Sequence, residues 1–168
     1  MIIGGQAVLL YGEPRLTRDI DITLGVDTDR FEDVASLTQA LGLMALPPDP
    51  LKFVRETMVF PAQEISTGIR VDFIFSFSPY EAQAIPRARQ VLMGRQRVCF
   101  ASPEDVVIHK IIAGRPRDLE DIRTILLKNP LIDIRYIRKW LKKISPVAEG
   151  ADLEKIFFEL DKELLKGR

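Results

Sequence analysis

The sequence contains a single cysteine, Cys99, and a single histidine, His109. One cysteine excludes an internal disulfide and suits a reducing compartment. In the run Val98-Cys99-Phe100 it reads as a buried structural thiol, because one histidine leaves little from which to build a Cys–His pair. His109 has no evident metal partners and reads as a structural or surface side chain. An excess of either charge is also missing. Lys+Arg and Asp+Glu both number 24, so the formal net charge is zero and a nucleic-acid partner would need a local basic patch. No apolar run approaches the roughly 20 residues that a bilayer requires. Met1-Ile2-Ile3 passes at once into Gly4-Gly5, which is not the pattern of a signal peptide. The expectation is a soluble, cytoplasmic protein with no membrane contact.

The 168 residues suit one domain, or a domain with a small helical appendage. With 46% hydrophobic and 29% charged residues, a packed core is expected. Met1–Ile3 reads as the tail of a strand, Gly4-Gly5 as a turn, and Gln6–Tyr11 as a short helix ending at Gly12. Asp19–Leu24 alternates polar and apolar residues, the period of a half-buried strand. Asp27–Leu41 is helical in pattern, and Pro47-Pro48-Asp49-Pro50 breaks the chain. Lys52–Phe60 and Ile69–Phe75 are strand candidates. In the second, Ile69, Val71, Phe73 and Phe75 share one face, and Arg70, Asp72 and Ile74 the other. Pro79–Ala88 reads as a short helix and Val91–Phe100 as a final strand bent near Gly94. Ser102-Pro103-Glu104-Asp105 opens a helix, with Ser at the cap and Pro at the first position. That helix stops near Gly114-Arg115, and further helices follow over Pro116–Lys128, Asp133–Lys143 and Ala151–Lys166. The expected fold is α/β (α+β): a mixed sheet with flanking helices over residues 1–101, and a C-terminal helical region, 102–168, packed on it.

Residues i and i+2 of a strand share a face, so Asp19 and Asp21 project side by side. Ile20 and Ile22 hold the opposite face against a core, and the strand cannot turn its acids away at low cost. Two like charges so placed call for a positive partner, and magnesium is a hard ion that takes carboxylate oxygens together with phosphates. Asp72, on the less apolar face of another strand, completes a three-carboxylate cluster if the two strands pair. Solvated acids on an edge strand are the alternative. Gly4-Gly5 before a helix can bring backbone N–H groups to phosphate oxygens, or it can be a tight turn only. Arg15 and Arg18 can pair with triphosphate oxygens, or neutralise Glu13 and the aspartates. Lys110, with Arg117, Asp118 and Asp121, fits ordinary helix-surface pairing.

Gly4-Gly5-x-Ala7, followed by Tyr11-Gly12-Glu13-Pro14-Arg15-x-Thr17-x-Asp19-Ile20-Asp21, resembles the signature of the DNA polymerase beta-like nucleotidyltransferase superfamily, with Asp72 in Arg70-Val71-Asp72-Phe73 as the third carboxylate. Ser102-Pro103-Glu104-Asp105, Lys110 and Gly114-Arg115-Pro116-Arg117-Asp118-Leu119-Glu120-Asp121 look like the branch that includes the AbiEii-type toxins of type IV toxin–antitoxin systems. The resemblance spans about Met1–Leu127. It implies a mixed sheet with flanking helices, Mg2+ (or Mn2+), and an NTP donor. It also implies that Asp19, Asp21 and Asp72 are catalytic metal ligands. Gly4, Gly5, Arg15, Arg18, Lys110 and Arg117 are the candidate nucleotide-binding residues. Many members carry Gly-Ser at the turn; here Gly5 leaves only backbone donors.

The function expected from this resemblance is transfer of an NMP from an NTP to a hydroxyl of a tRNA, a protein or a small molecule, with an antitoxin as partner. The basic helix Arg135–Lys143 offers a tRNA contact. Ile134, Ile137, Leu141 and Ile144 form its inner stripe, and a solvated basic face is the plainer reading. The alternative function is a non-catalytic nucleotide-binding or interaction module on the same fold.

Overall fold

The computed structural model describes residues 1–76, 78–146 and 152–166. The chain divides into two compact units, one built from Met1–Gln6 and Leu16–Phe100, the other from Ala7–Arg15 and Ala101–Arg168. Helix α1 (Gly4–Tyr11) begins in the first and continues into the second.

The first unit holds a mixed four-stranded sheet of β1 (Asp19–Thr23), β2 (Leu43–Ala45), β3 (Val59–Glu64) and β4 (Arg70–Ile74), in the order β1-β4-β3-β2. β1 and β4 run parallel, while β3 is antiparallel to both β4 and β2. One face of the sheet is apolar. Phe60, Ala62, Val71 and Phe73 pack there with Phe31 and Val34 of α2 (Phe31–Ala40) and Val54 of α3 (Pro50–Thr57), and Ile20 and Ile22 lie against the same cluster. Phe60 meets Phe31 edge-on, with ring centroids 5.4 Å apart. Burying this face turns the polar residues of β1 and β4 to the other side, as the period of two requires.

Several elements differ from the sequence expectation. Lys52–Thr57 is helical, not extended. Asp49 accepts a hydrogen bond from the Lys52 N–H at 3.1 Å and Pro50 takes the first helical position, so the stretch read as a breaker is a cap. The helix closes at Met58, which adopts the left-handed conformation (φ +62°) and bonds back to the Val54 carbonyl. The strand that follows is β3, and the short strand β2 had no clear sequence signal. Pro79–Ala88 contains the single helical turn α4 (Glu81–Ala84) and a 3-10 turn, Ile85–Arg87. Val91–Phe100 is not one bent strand. It lies within a hairpin, β5 (Arg89–Met93) and β6 (Gln96–Phe100), that reverses at Gly94 with φ +61°. Cys99 is exposed on β6 rather than buried, because both faces of this hairpin are largely open to solvent. Met1–Ile3 forms only isolated bridges, from Ile2 to Ile22 and to Phe100.

The second unit is helical: the rest of α1, α5 (Pro103–Ala113), α6 (Pro116–Lys128), α7 (Ile134–Ile144) and α8 (Leu153–Lys166). The expected start of the last helix, Ala151, lies outside the described residues. Ser102 caps α5 by accepting from the Asp105 N–H at 3.2 Å, and Gly114 ends the helix at φ +63°. α7 buries Tyr136, Ile137, Trp140 and Leu141 and leaves Arg135, Lys139, Lys142 and Lys143 exposed. Among the described residues no helix is long and apolar enough to cross a membrane.

The aromatic cluster carries the apolar face of the first unit. Phe60→Ala is expected to destabilise the protein by about 3–5 kcal/mol, and Phe60→Leu by clearly less, in urea unfolding followed by circular dichroism.

Candidate active site

The parallel pairing of β1 with β4 sets Asp19 opposite Arg70 and Asp21 opposite Asp72. Cross-strand partners lie on the same face of a sheet, so Asp19, Asp21, Arg70 and Asp72 share the face opposite the apolar core. The three expected carboxylates are thus brought to one patch of one sheet. Asp19 is exposed and accepts a hydrogen bond from the Thr17 hydroxyl at 2.9 Å. Asp21 and Asp72 are half-buried.

Gly4 explains how Asp21 is seated. It has φ +61°, and a Cβ placed on it would fall 1.8 Å from Asp21 Oδ2 and 2.8 Å from its Cγ. Only a residue without a side chain lets the carboxylate come down onto the backbone at the first turn of α1, where the helix dipole favours negative charge. Gly4 is therefore also the seat of Asp21. Gly5 is buried beside it.

The residue that sequence reasoning passed over is Arg70. Its Nε donates to Asp72 Oδ1 at 2.7 Å. This hydrogen bond raises the guanidinium pKa above its ordinary value, with added attraction from Asp72, Asp19 and Asp21 against the opposing effect of burial. The signal was available, since Arg70 and Asp72 are two apart on one strand. What the chain does not spell out is that β4 pairs with the strand carrying the other two acids.

Oxygen donors of this kind suit a hard divalent cation. Among the described residues, though, no group of three or more His, Cys, Asp or Glu side chains stands close enough to hold a metal ion. Asp72 is instead drawn to Arg70.

In the second unit, Lys110 is not on a solvated helix surface. It is 7% exposed, and its Nζ lies 2.5 Å from Asp118 Oδ1 and 2.9 Å from Asp121 Oδ2. Arg15 grips Asp121 in a fork, Nε to Oδ1 and Nη2 to Oδ2, both at 3.0 Å. Two cations and two carboxylates thus balance inside the helical unit. Burial pushes the Asp121 carboxyl up, but the hydrogen bonds from Arg15 and Lys110 outweigh it and hold the group below its ordinary value. Arg18 and Arg117 are exposed and make no ion pair among the described residues.

Residues 3–154 match the family described as nucleotidyl transferase AbiEii toxin, type IV TA system. The chain belongs to this family. Its fold is also similar to that of a solved structure. The solution structure of the antibiotic-resistance factor ANT(2'')-Ia aligns over 99% of this chain and 85% of its own, with a TM-score of 0.57 at 18% identity. An antigenic nucleotidyltransferase-like protein from Paracoccidioides brasiliensis aligns over 77% of this chain and 66% of its own, with a TM-score of 0.48 at 20% identity. Among curated proteins, none matches significantly. Membership of the AbiEii family agrees with the sequence resemblance, and the likeness to ANT(2'')-Ia agrees with the expected mixed sheet with flanking helices.

Gly4→Ala is expected to displace Asp21 and to lower the melting temperature by several degrees in calorimetry, whereas Gly68→Ala, at a turn where a Cβ meets nothing closer than 3.8 Å, costs less. In the helical unit, Asp121→Asn removes a carboxyl whose folded pKa is depressed. Such a group contributes stability that is present above its unfolded pKa and is lost as pH falls through the folded one. The variant is therefore expected to be about 3 kcal/mol less stable at pH 7, with the gap from the parent narrowing below about pH 4, in urea titrations across pH.

Proposed function

We propose that this AbiEii-family chain is an active, magnesium- or manganese-dependent nucleotidyltransferase that moves an NMP from an NTP to a hydroxyl acceptor. The observation that carries this reading is the shared face of Asp19, Asp21 and Asp72. Three acids gathered on a sheet whose other face is committed to the core are costly unless they meet a cation. A divalent ion held by these carboxylates would neutralise the triphosphate and make the attacking hydroxyl more acidic. Asp72 takes the proton from that hydroxyl. The acceptor oxygen forms a bond to the α-phosphorus as the bond to the bridging oxygen of the β-phosphate breaks, and pyrophosphate leaves. Gly4 and Gly5 present the start of α1 to the phosphates.

Arg15, Arg18, Lys110 and Arg117 remain candidates for nucleotide contact. Arg18 and Arg117 are exposed and available to oxygens, whereas Arg15 and Lys110 already have carboxylate partners. The exposed Arg135, Lys139 and Lys142 of α7 are the surface offered to a tRNA acceptor. The family description supports an antitoxin as protein partner.

The test is incubation with each α-labelled NTP, Mg2+, and RNA, protein or small-molecule acceptors, with pyrophosphate release as readout. Label transfer is expected, with a loss of roughly 100-fold or more in Asp21→Asn, while that variant stays folded. Nucleotide binding without pyrophosphate release across all acceptors would instead identify a non-catalytic module.

A further inference from the structure

Arg70 sits where a cation is needed, and nothing in the transfer chemistry above uses it. Its guanidinium is bonded to Asp72 at 2.7 Å, and its backbone is the direct cross-strand partner of Asp19. The side chain is 49% exposed, while that of Asp72 is 14% exposed. The pair therefore joins a mobile cation to a fixed acid. Long side chains on a surface change rotamer easily, whereas a half-buried carboxylate on a central strand does not.

We propose that Arg70 is a built-in counter-cation, holding the carboxylate face until a divalent ion displaces it. The inference rests on the metal-dependent reading given above. The physical argument is competition for one set of oxygens. Without a cation, Asp19, Asp21 and Asp72 repel one another across adjacent strands, and the guanidinium relieves that repulsion. A metal ion approaching Asp72 meets a positive charge already bonded there. Two cations cannot share the oxygen at low cost, so the side chain leaves as the ion arrives. Asp72 keeps its place on β4 opposite Asp21, and the oxygen that Arg70 releases is then open to the ion. Arg70 is on this account a positioning residue. It sets how tightly the acids hold metal and touches neither the acceptor nor the leaving group.

The test measures Mn2+ binding by calorimetry and electron paramagnetic resonance, without nucleotide, in the parent protein, Arg70→Gln, Arg70→Lys and Arg95→Gln. Arg95 is exposed at the turn of the β5–β6 hairpin and controls for lost net charge. Arg70→Gln is expected to bind Mn2+ about fivefold tighter than the parent, with Arg70→Lys and Arg95→Gln within about twofold of it. In melting curves without metal, Arg70→Gln is expected below the parent, and saturating Mn2+ closes the difference. A purely structural role would leave that gap open. The parent protein supplies a readout that needs no variant. The Arg70 Nε–H resonance is expected to move toward the position of a solvated arginine as Mg2+ is titrated.

Mn2+ binding by the parent with equal or weaker binding by Arg70→Gln, or an Nε–H resonance unmoved at Mg2+ saturation, overturns the role of Arg70 and leaves the nucleotidyltransferase reading standing. No metal binding by any of the four proteins, with or without an NTP, overturns both.

Discussion

The constraint on which the first unit depends is the register between β1 and β4. A parallel pairing that sets Asp21 opposite Asp72 also sets Ile20 opposite Val71 and Ile22 opposite Phe73. The apolar residues sink into one core with Phe31, Val34, Val54 and Phe60. Their burial holds the acids on the other face, whatever those acids would prefer electrostatically. A slip of one residue would exchange the two faces and expose that core. The folding energy of the sheet and the placement of its negative charge are thus two results of one alignment.

The charges so placed are managed locally. Asp21 reaches the start of α1 because Gly4 has no side chain to block it. Asp72 is met by Arg70 and Asp19 by the Thr17 hydroxyl. In the helical unit a second charged set, Lys110 and Arg15 with Asp118 and Asp121, is paired and largely removed from water. The two sets differ in character. A buried, balanced set resists losing any one member, because each loss strands a charge in low dielectric. The sheet face is partly open, and the Arg70 guanidinium lies near the surface, where exchange with ions in solution costs little.

Much of this was legible from residue order. Alternation in Asp19–Leu24 gave the strand and its two faces, and Ser102-Pro103 gave the start of α5 through cap chemistry that is local by nature. Where local signals conflicted, the reading failed. Asp49-Pro50 serves equally as a break or as a helix start, and the side-chain cap on Lys52 decides between them. Gly94 fits a bend or a reversal, and only strand pairing tells them apart. The seat of Asp21 on Gly4 and the facing of Asp72 by Asp21 join segments distant in sequence, whereas Arg70 and Asp72 are two apart on one strand. No periodicity encodes which strand or helix will be the neighbour, and those first two features appear only once the partners are known.

The central claim is that the acids of β1 and β4 converge on a cation that also binds a triphosphate. It is tested most directly by anomalous diffraction at the manganese edge from crystals grown with Mn2+ and a non-hydrolysable NTP. The account predicts manganese within coordination distance, about 2.2 Å, of oxygens from Asp19, Asp21 and Asp72, with phosphate oxygens on the same ion. Manganese and nucleotide held elsewhere, with Asp72 still bonded to Arg70, would contradict it.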